Sequence, residues 1–269
     1  MAKPTEWRPK GVVGAEAIRR ESPAGRFLPE GPLAEFVEHF WTVSWDLSGQ
    51  PSLVRETLPH PSVHLVIEEG RSGLAGVHTG RFSRRLEGRG WVLGTKFLPG
   101  CFRPFWGRPV SEFTDQVLPL ATALGPPGAA LEAAVLGCGE DASTAVTHVE
   151  AFLLERLPRP DAKARLARSI VARILEDREL TQAEAVAREA GLSLRSLQRL
   201  FQDYVGVSPK WVIQRYRLHE AMEQLEAHQA VDLPALALAL GFFDQAHFIK
   251  AFRTYLGRTP AVYARGPEG

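Results

Sequence analysis

The chain has 269 residues, 45% of them hydrophobic and 23% charged, the balance of a folded globular protein with length for one or two domains. A net charge of +1 rules out bulk positive charge as a route to polyanions, so any nucleic-acid contact must come from local clusters. There is no run of 18 apolar residues, MAKPTEWRPK lacks the pattern of a secretory signal, and Cys101 and Cys138 form no C-x-x-C pair, so the expectation is a cytoplasmic chain with reduced thiols and no membrane contact.

Residues 1–30 are rich in Pro, Gly and charge and read as an N-terminal arm. The spacing of Leu33, Phe36, Val37 and Phe40 then predicts a helical start. From Trp41 to Val117, short runs such as WTVSW, SVHLVIE and WVLGTKFL are broken by Gly and Pro, the pattern of a small β-domain. Its aromatic side chains have two readings: Trp45, His64, Trp91, Phe97 and Phe102 line an apolar ligand pocket, or they fill a β-core. His60, Ser62, His64 and Glu68 share parity on one strand, which would gather two imidazoles and a carboxylate, but no metal is assigned to that spacing. Cys101, in FLPGCFRPF beside Arg103, reads as a buried inert thiol rather than a sensor. Stretches rich in Ala and Leu at 129–137 and 143–157 predict helices that stop at LPRPD, which sets a domain boundary between 31–158 and 159–269. The apolar faces of these helices are the candidate homodimer contact.

The segment from Asp161 to Tyr263 has helical periodicity throughout and contains a repeat. At an offset of 51 residues Leu197 matches Phe248, Phe201 matches Phe252, Tyr204 matches Tyr255, Gly206 matches Gly257 and Pro209 matches Pro260. Upstream the offset is 50, pairing Ala187 with Ala237 and Gly191 with Gly241, so the second copy has one extra residue in its turn. Each copy reads as a helix ended by glycine, a capped turn and a second amphipathic helix, which is the helix-turn-helix plan. Thr181 and Glu184 fit a capping box for the first copy, and Ser208 with Pro209 starts a long helix that joins the two.

In the first copy Leu197, Leu200 and Phe201 share an inner face, leaving Arg195, Ser196, Gln198, Arg199 and Gln202 outside. Arg can donate twice to guanine and Gln can bond adenine, so this face suits the major groove. In the second copy Asp244 caps a helix whose outer face carries Gln245, Ala246, Ile249, Lys250 and Arg253; Ala246 and Ile249 suit thymine methyl groups, while Lys250 and Arg253 suit phosphates. Between Ser193 and Arg217 the cations Arg195, Arg199, Lys210, Arg215 and Arg217 face the single acid Asp203.

The segments GLSLRSLQRLFQDYVGVSPKWV and LALALGFFDQAHFIKAFRTYLGRTPAVY are similar to the DNA-binding domain of the AraC/XylS family. That resemblance implies seven helices, two major-groove contacts with base-reading positions at Arg195, Gln198 and Arg199 and at Gln245, Ala246, Ile249 and Lys250, bending of the site, and an N-terminal regulatory domain of the cupin-like type that senses a ligand or mediates dimerisation. The fold expected is α+β in two domains, a small cupin-like β-barrel with flanking helices and an all-α unit with two helix-turn-helix motifs. The expected partner is double-stranded DNA, with RNA polymerase, an unidentified small-molecule effector and a second copy of the chain as further candidates. No enzymatic step and no cofactor is called for; the competing reading is a metal-dependent cupin-type enzyme with an appended helical module.

Overall fold

A computed structural model describes residues 24–227 and 231–265; most of the arm expected over 1–30 lies outside the described residues. Among the described residues the N-terminal part contains eight strands: β1 (Ala24–Phe27), β2 (Val37–Leu47), β3 (Leu53–Thr57), β4 (His64–Glu68), β5 (Gly73–Ala75), β6 (Phe82–Leu86), β7 (Gly88–Phe97) and β8 (Val117–Leu118). Six form an antiparallel sheet in the order β1-β2-β7-β4-β5-β8, and β3 pairs with β6 as a separate ribbon. The strands therefore do not close into the expected barrel, because the edges β1 and β8 are only 4 and 2 residues long and do not meet.

Alternation along each strand sorts the side chains between two cores. Phe40, Leu65, Ile67, Leu93 and Phe97 pack on one face against Leu131, Val135, Val149 and Phe152. Trp41, Val43, Trp45 and Leu47 occupy the other face, with Leu53 and Leu86 of the ribbon. Trp45 stands opposite Gly90 and Trp41 opposite Gly94, and each ring lies so close that a Cβ on the glycine would come within 2.1 Å of it. Because both faces of β2 are covered, its start imitates a helical period. The helix expected from Leu33 to Phe40 is a single 3-10 turn, Gly31–Glu35, followed by β2.

Four helices follow the last long strand: α1 (Arg103–Trp106), α2 (Leu120–Leu124), α3 (Pro126–Leu136) and α4 (Ala142–Glu155). The apolar faces of α3 and α4 cover their own sheet through Leu131, Val135, Val146, Val149, Phe152 and Leu153, which removes the reason for treating them as a dimer contact. Cys101 is buried, and burial pushes its thiol up to about 11, so it stays protonated at neutral pH.

Seven helices make up the rest of the described chain: α5 (Ala162–Glu176), α6 (Ala183–Glu189), α7 (Leu194–Tyr204), α8 (Pro209–Ala227), α9 (Leu233–Ala239), α10 (Gln245–Leu256) and α11 (Pro260–Ala264). They enclose two cores. One holds Ile170, Val186, Leu197, Phe201, Val212 and Tyr216, and the other Leu218, Met222, Leu236, Phe248, Phe252 and Tyr263. Helix α8 runs through both, so its middle is buried on every side. Arg215 and Arg217, counted above with the surface cations, are 1% and 2% exposed. Arg217 donates to the carbonyls of Ile174 and Asp177, satisfying the end of α5, and pairs with Glu220. The Arg215 guanidinium lies over the rings of Trp211 and Tyr255, at 4.3 and 4.9 Å from their centroids, and donates to Thr79 O at 2.5 Å. Burial draws its pKa down to about 10, which leaves it charged. Among the described residues no helix is long and apolar enough to cross a membrane.

The N-terminal part touches both halves of this helical unit. Val77 enters the first core and Leu58 the second. Thr114 donates to Gly206 O at 2.7 Å, and Glu56 takes Arg81 at 2.7 Å and Arg258 at 3.1 Å beside Gly257. Gly206 and Gly257 are equivalent in the repeat, so the sheet region grips the same corner of each copy.

Candidate nucleic-acid interface

Helix α7 begins where Ser193 Oγ accepts from the Ser196 amide at 3.1 Å, a side-chain cap that fixes the first turn. From there Leu197, Leu200, Phe201 and Tyr204 turn inward, and Arg195, Ser196, Gln198, Arg199 and Gln202 are all exposed. Helix α10 starts in the same way, with Asp244 Oδ1 accepting from the His247 amide at 2.7 Å. Phe248, Phe252 and Leu256 are buried, Gln245, Ala246, Lys250 and Arg253 are exposed, and Ile249 is half-buried. The offset of 51 residues superposes Arg195, Gln198, Arg199 and Gln202 on Ala246, Ile249, Lys250 and Arg253, so each helix offers one stripe at i, i+3, i+4 and i+7. Ser196 falls on His247, an exposed residue the sequence reading passed over although the same offset points to it.

Some cations of the helical unit are held by acids, while others, including Lys163, Arg165, Arg188 and Lys210 off the stripes, have no ion pair among the described residues. Arg173, Arg178, Arg217 and Arg258 each pair with a carboxylate, whereas Arg195, Arg199, Lys250 and Arg253 have none among the described residues. Unpaired exposed cations on a polar helix face can accept phosphate or base-edge partners without breaking an existing contact.

The turns ahead of the two helices are less alike. Thr181 does not cap α6: the N-cap is Gln182, with no side-chain bond, and Thr181 packs instead on the second turn, where a Cβ at Gly241 would lie 2.2 Å from Thr181 Cγ2. The first copy is thereby keyed into the second.

The residues proposed for a pocket are scattered, with Trp45 in one core and Trp91 at the margin of the helix-side core, on opposite faces of the sheet. Trp45 and Trp91 line a cleft of about 750 Å3, together with Glu68, Arg71, Arg84 and Arg89. Phe97 and Phe102 lie in the helix-side core, with rings 4.8 Å apart. His64 accepts from Trp41 Nε1 at 3.3 Å, and burial, with the nearby charge of Lys96, lowers its pKa to about 3. The metal-like trio is also parted. His60 stacks on His219 with ring centroids 4.1 Å apart, His64 serves Trp41, and Glu68 is held by Arg84. Among the described residues no group of three ligating side chains is arranged to hold a metal ion.

A family profile described as a helix-turn-helix domain matches residues 186–266, and one described as a domain of unknown function (DUF6597) matches residues 25–119. The probable transcription factor PqrA of Proteus vulgaris is 30% identical over 89 residues, which cover 33% of this chain and 72% of that protein. The chain belongs to the AraC/XylS family. The transcriptional activator RhaS of Escherichia coli is 34% identical over 86 residues, 32% of this chain and 31% of RhaS. An uncharacterised regulator of Haemophilus influenzae is 31% identical over 101 residues, 38% of this chain and 34% of that protein. The chain thus spans about a third of the length of these last two relatives.

Proposed function

We propose that this chain is a sequence-specific transcription regulator of double-stranded DNA, working in the cytoplasm without a catalytic step. The observation that carries this reading is the pair of equivalent stripes on α7 and α10, capped alike, exposed except at the half-buried Ile249 and bearing cations with no acidic partner among the described residues. The two helices enter successive major grooves roughly 34 Å apart, so a single chain reads a site with no palindromic symmetry. Arg195, Gln198 and Arg199 read base edges, Ser196 and Gln202 flank them, and Gln245, Ala246 and Ile249 read the second half-site while Lys250 and Arg253 hold phosphates.

Residues 31–158 form the regulatory domain, an open cupin-like arrangement, and 159–269 the DNA-binding domain. The cleft lined by Trp45 and Trp91 is the candidate effector site, because its wall includes Ser83, Arg84 and Arg85 of the ribbon that also carries Glu56 to Arg258. A small molecule seated there would move the ribbon and with it the corner of the second motif, changing how RNA polymerase is recruited or excluded.

The test is selection of random duplex DNA by the full-length protein, followed by binding of the enriched site across a salt series. A two-part motif spaced by about one helical turn, with affinity falling steeply in salt, is expected. Failure to enrich any motif, with and without an effector library present, would overturn the reading.

A further inference from the structure

The turns leading into α7 and α10 differ by one residue, and the structure shows which one. The amides of Leu192 and Phe242 make the same bond, to the carbonyls of Ala187 and Ala237 five residues back, at 2.8 and 3.0 Å. Ser193 and Asp244 make the same cap. Phe243, between Phe242 and Asp244, therefore has no counterpart in the first turn. At 87% it is the most exposed large hydrophobic side chain among the described residues.

Its backbone is firmly held. Phe242 is 6% exposed and packs on Phe248 with ring centroids 5.2 Å apart, Asp244 is fixed by its bond to the His247 amide, and Gly241 abuts Thr181. A large apolar ring is thus presented from a rigid position at the N-terminal end of α10, the end by which a recognition helix meets base edges. Beside it the stripe is apolar where the first copy is polar, with Ala246 in place of Arg195 and Ile249 in place of Gln198.

We propose that Phe243 is a specificity-determining residue which, with Ala246 and Ile249, reads thymine 5-methyl groups in the half-site of the second motif. The inference rests on the DNA-binding reading above. The thymine methyl is the one apolar group displayed on a major-groove base edge, and Phe and Ala are among the side chains that touch it. The two halves of the site are then read by different chemistry, the first by hydrogen bonds and the second by apolar contact.

The experiment compares full-length wild-type protein with Phe243→Ala and Phe243→Leu, on the enriched duplex and on duplexes with single thymines of the second half-site replaced by deoxyuridine, which removes only the methyl group. Wild type is expected to weaken about fourfold at the thymine Phe243 reads, the effect of one buried methyl group. Phe243→Ala should be weak on the thymine duplex and indifferent to uracil there, with Phe243→Leu in between. Equal thymine preference in wild type and Phe243→Ala would overturn the proposal while leaving DNA binding intact. Retained preference with loss of stimulation of purified RNA polymerase would also overturn it, assigning Phe243 and the 65%-exposed Leu238 to a protein contact. If wild type binds no duplex selectively, the proposal falls together with the DNA-binding reading.

Discussion

Gly191 and Gly241 occupy the same place in the two copies and share a left-handed backbone, with φ of +66° and +74°, but their surroundings differ. Nothing lies within 4 Å of a Cβ at 191, whereas a Cβ at 241 would meet Thr181 Cγ2 at 2.2 Å and Cβ at 2.8 Å. Gly191→Ala should therefore cost only the backbone penalty, about 1–2 kcal/mol. Gly241→Ala adds the crowding of a packed contact, about 1–3 kcal/mol more, for a total of about 2–5 kcal/mol. Urea unfolding of the full chain, followed by circular dichroism at 222 nm, reads both. Thr181→Ala in the Gly241→Ala background removes the nearer clash and should restore part of the difference. Because Thr181 belongs to the first copy, Gly241→Ala should also weaken a two-part DNA site more than either half alone. Equal losses at 191 and 241, or no recovery from Thr181→Ala, would refute the claim that the copies are keyed together at this point.

Other substitutions probe the remaining contacts. Arg199→Ala should cost about 1–3 kcal/mol on the preferred duplex and relax preference at one base pair; an unchanged preference in a repeat selection would remove Arg199 from the base-reading set. Arg253→Ala should weaken all duplexes alike and flatten the salt dependence by about one charge, and a salt slope equal to wild type would move it off the phosphates. Glu56→Gln and Arg258→Met should each lower stability by about 1–2 kcal/mol, and since Glu56 and Arg258 bond at 3.1 Å the double variant should lose less than the sum; strict additivity would mean that the pair does not couple the sheet region to the second motif. His64, with a pKa near 3 in the fold against 6.5 in the unfolded chain, binds a proton first in the unfolded state, so stability should fall with pH between 6.5 and 3, by at most about 1.4 kcal/mol per pH unit from this residue. A His64→Gln variant with the same acid slope as wild type would show that the imbalance lies elsewhere.

The parts of the site legible in the sequence were those set by local rules. Ser193 and Asp244 are side-chain caps, Gly191 and Gly241 occupy positive φ, and Phe201 and Phe252 fall on the inner faces that spacing assigns them. Misreadings came where tertiary structure overrides local pattern. Arg215 and Arg217 look like surface cations in a one-dimensional charge count, yet both sit in the middle of a helix buried by two cores and the sheet region. Leu33 to Phe40 imitates a helix because β2 is covered on both faces. Thr181 has the spacing of a capping box, but the turn at Gly241 arrives against it. The offset shows one extra residue in the second turn, but that it is Phe243 follows only from the matching turn bonds and caps, and its exposure only from the burial of Phe242.

Leu58 and Val77 bear on how the chain can be divided. Each is 0% exposed, and each completes a core whose other members lie on the far side of the linker at residues 156–161. A helical unit released by cleavage in that linker would carry two open sockets, and Arg215 would lose the Thr79 carbonyl that meets its charge. Melting should then be a single concerted event for the intact protein, and a hybrid that joins these helices to another regulator's sheet would fold well only if it brought matching plugs for both sockets.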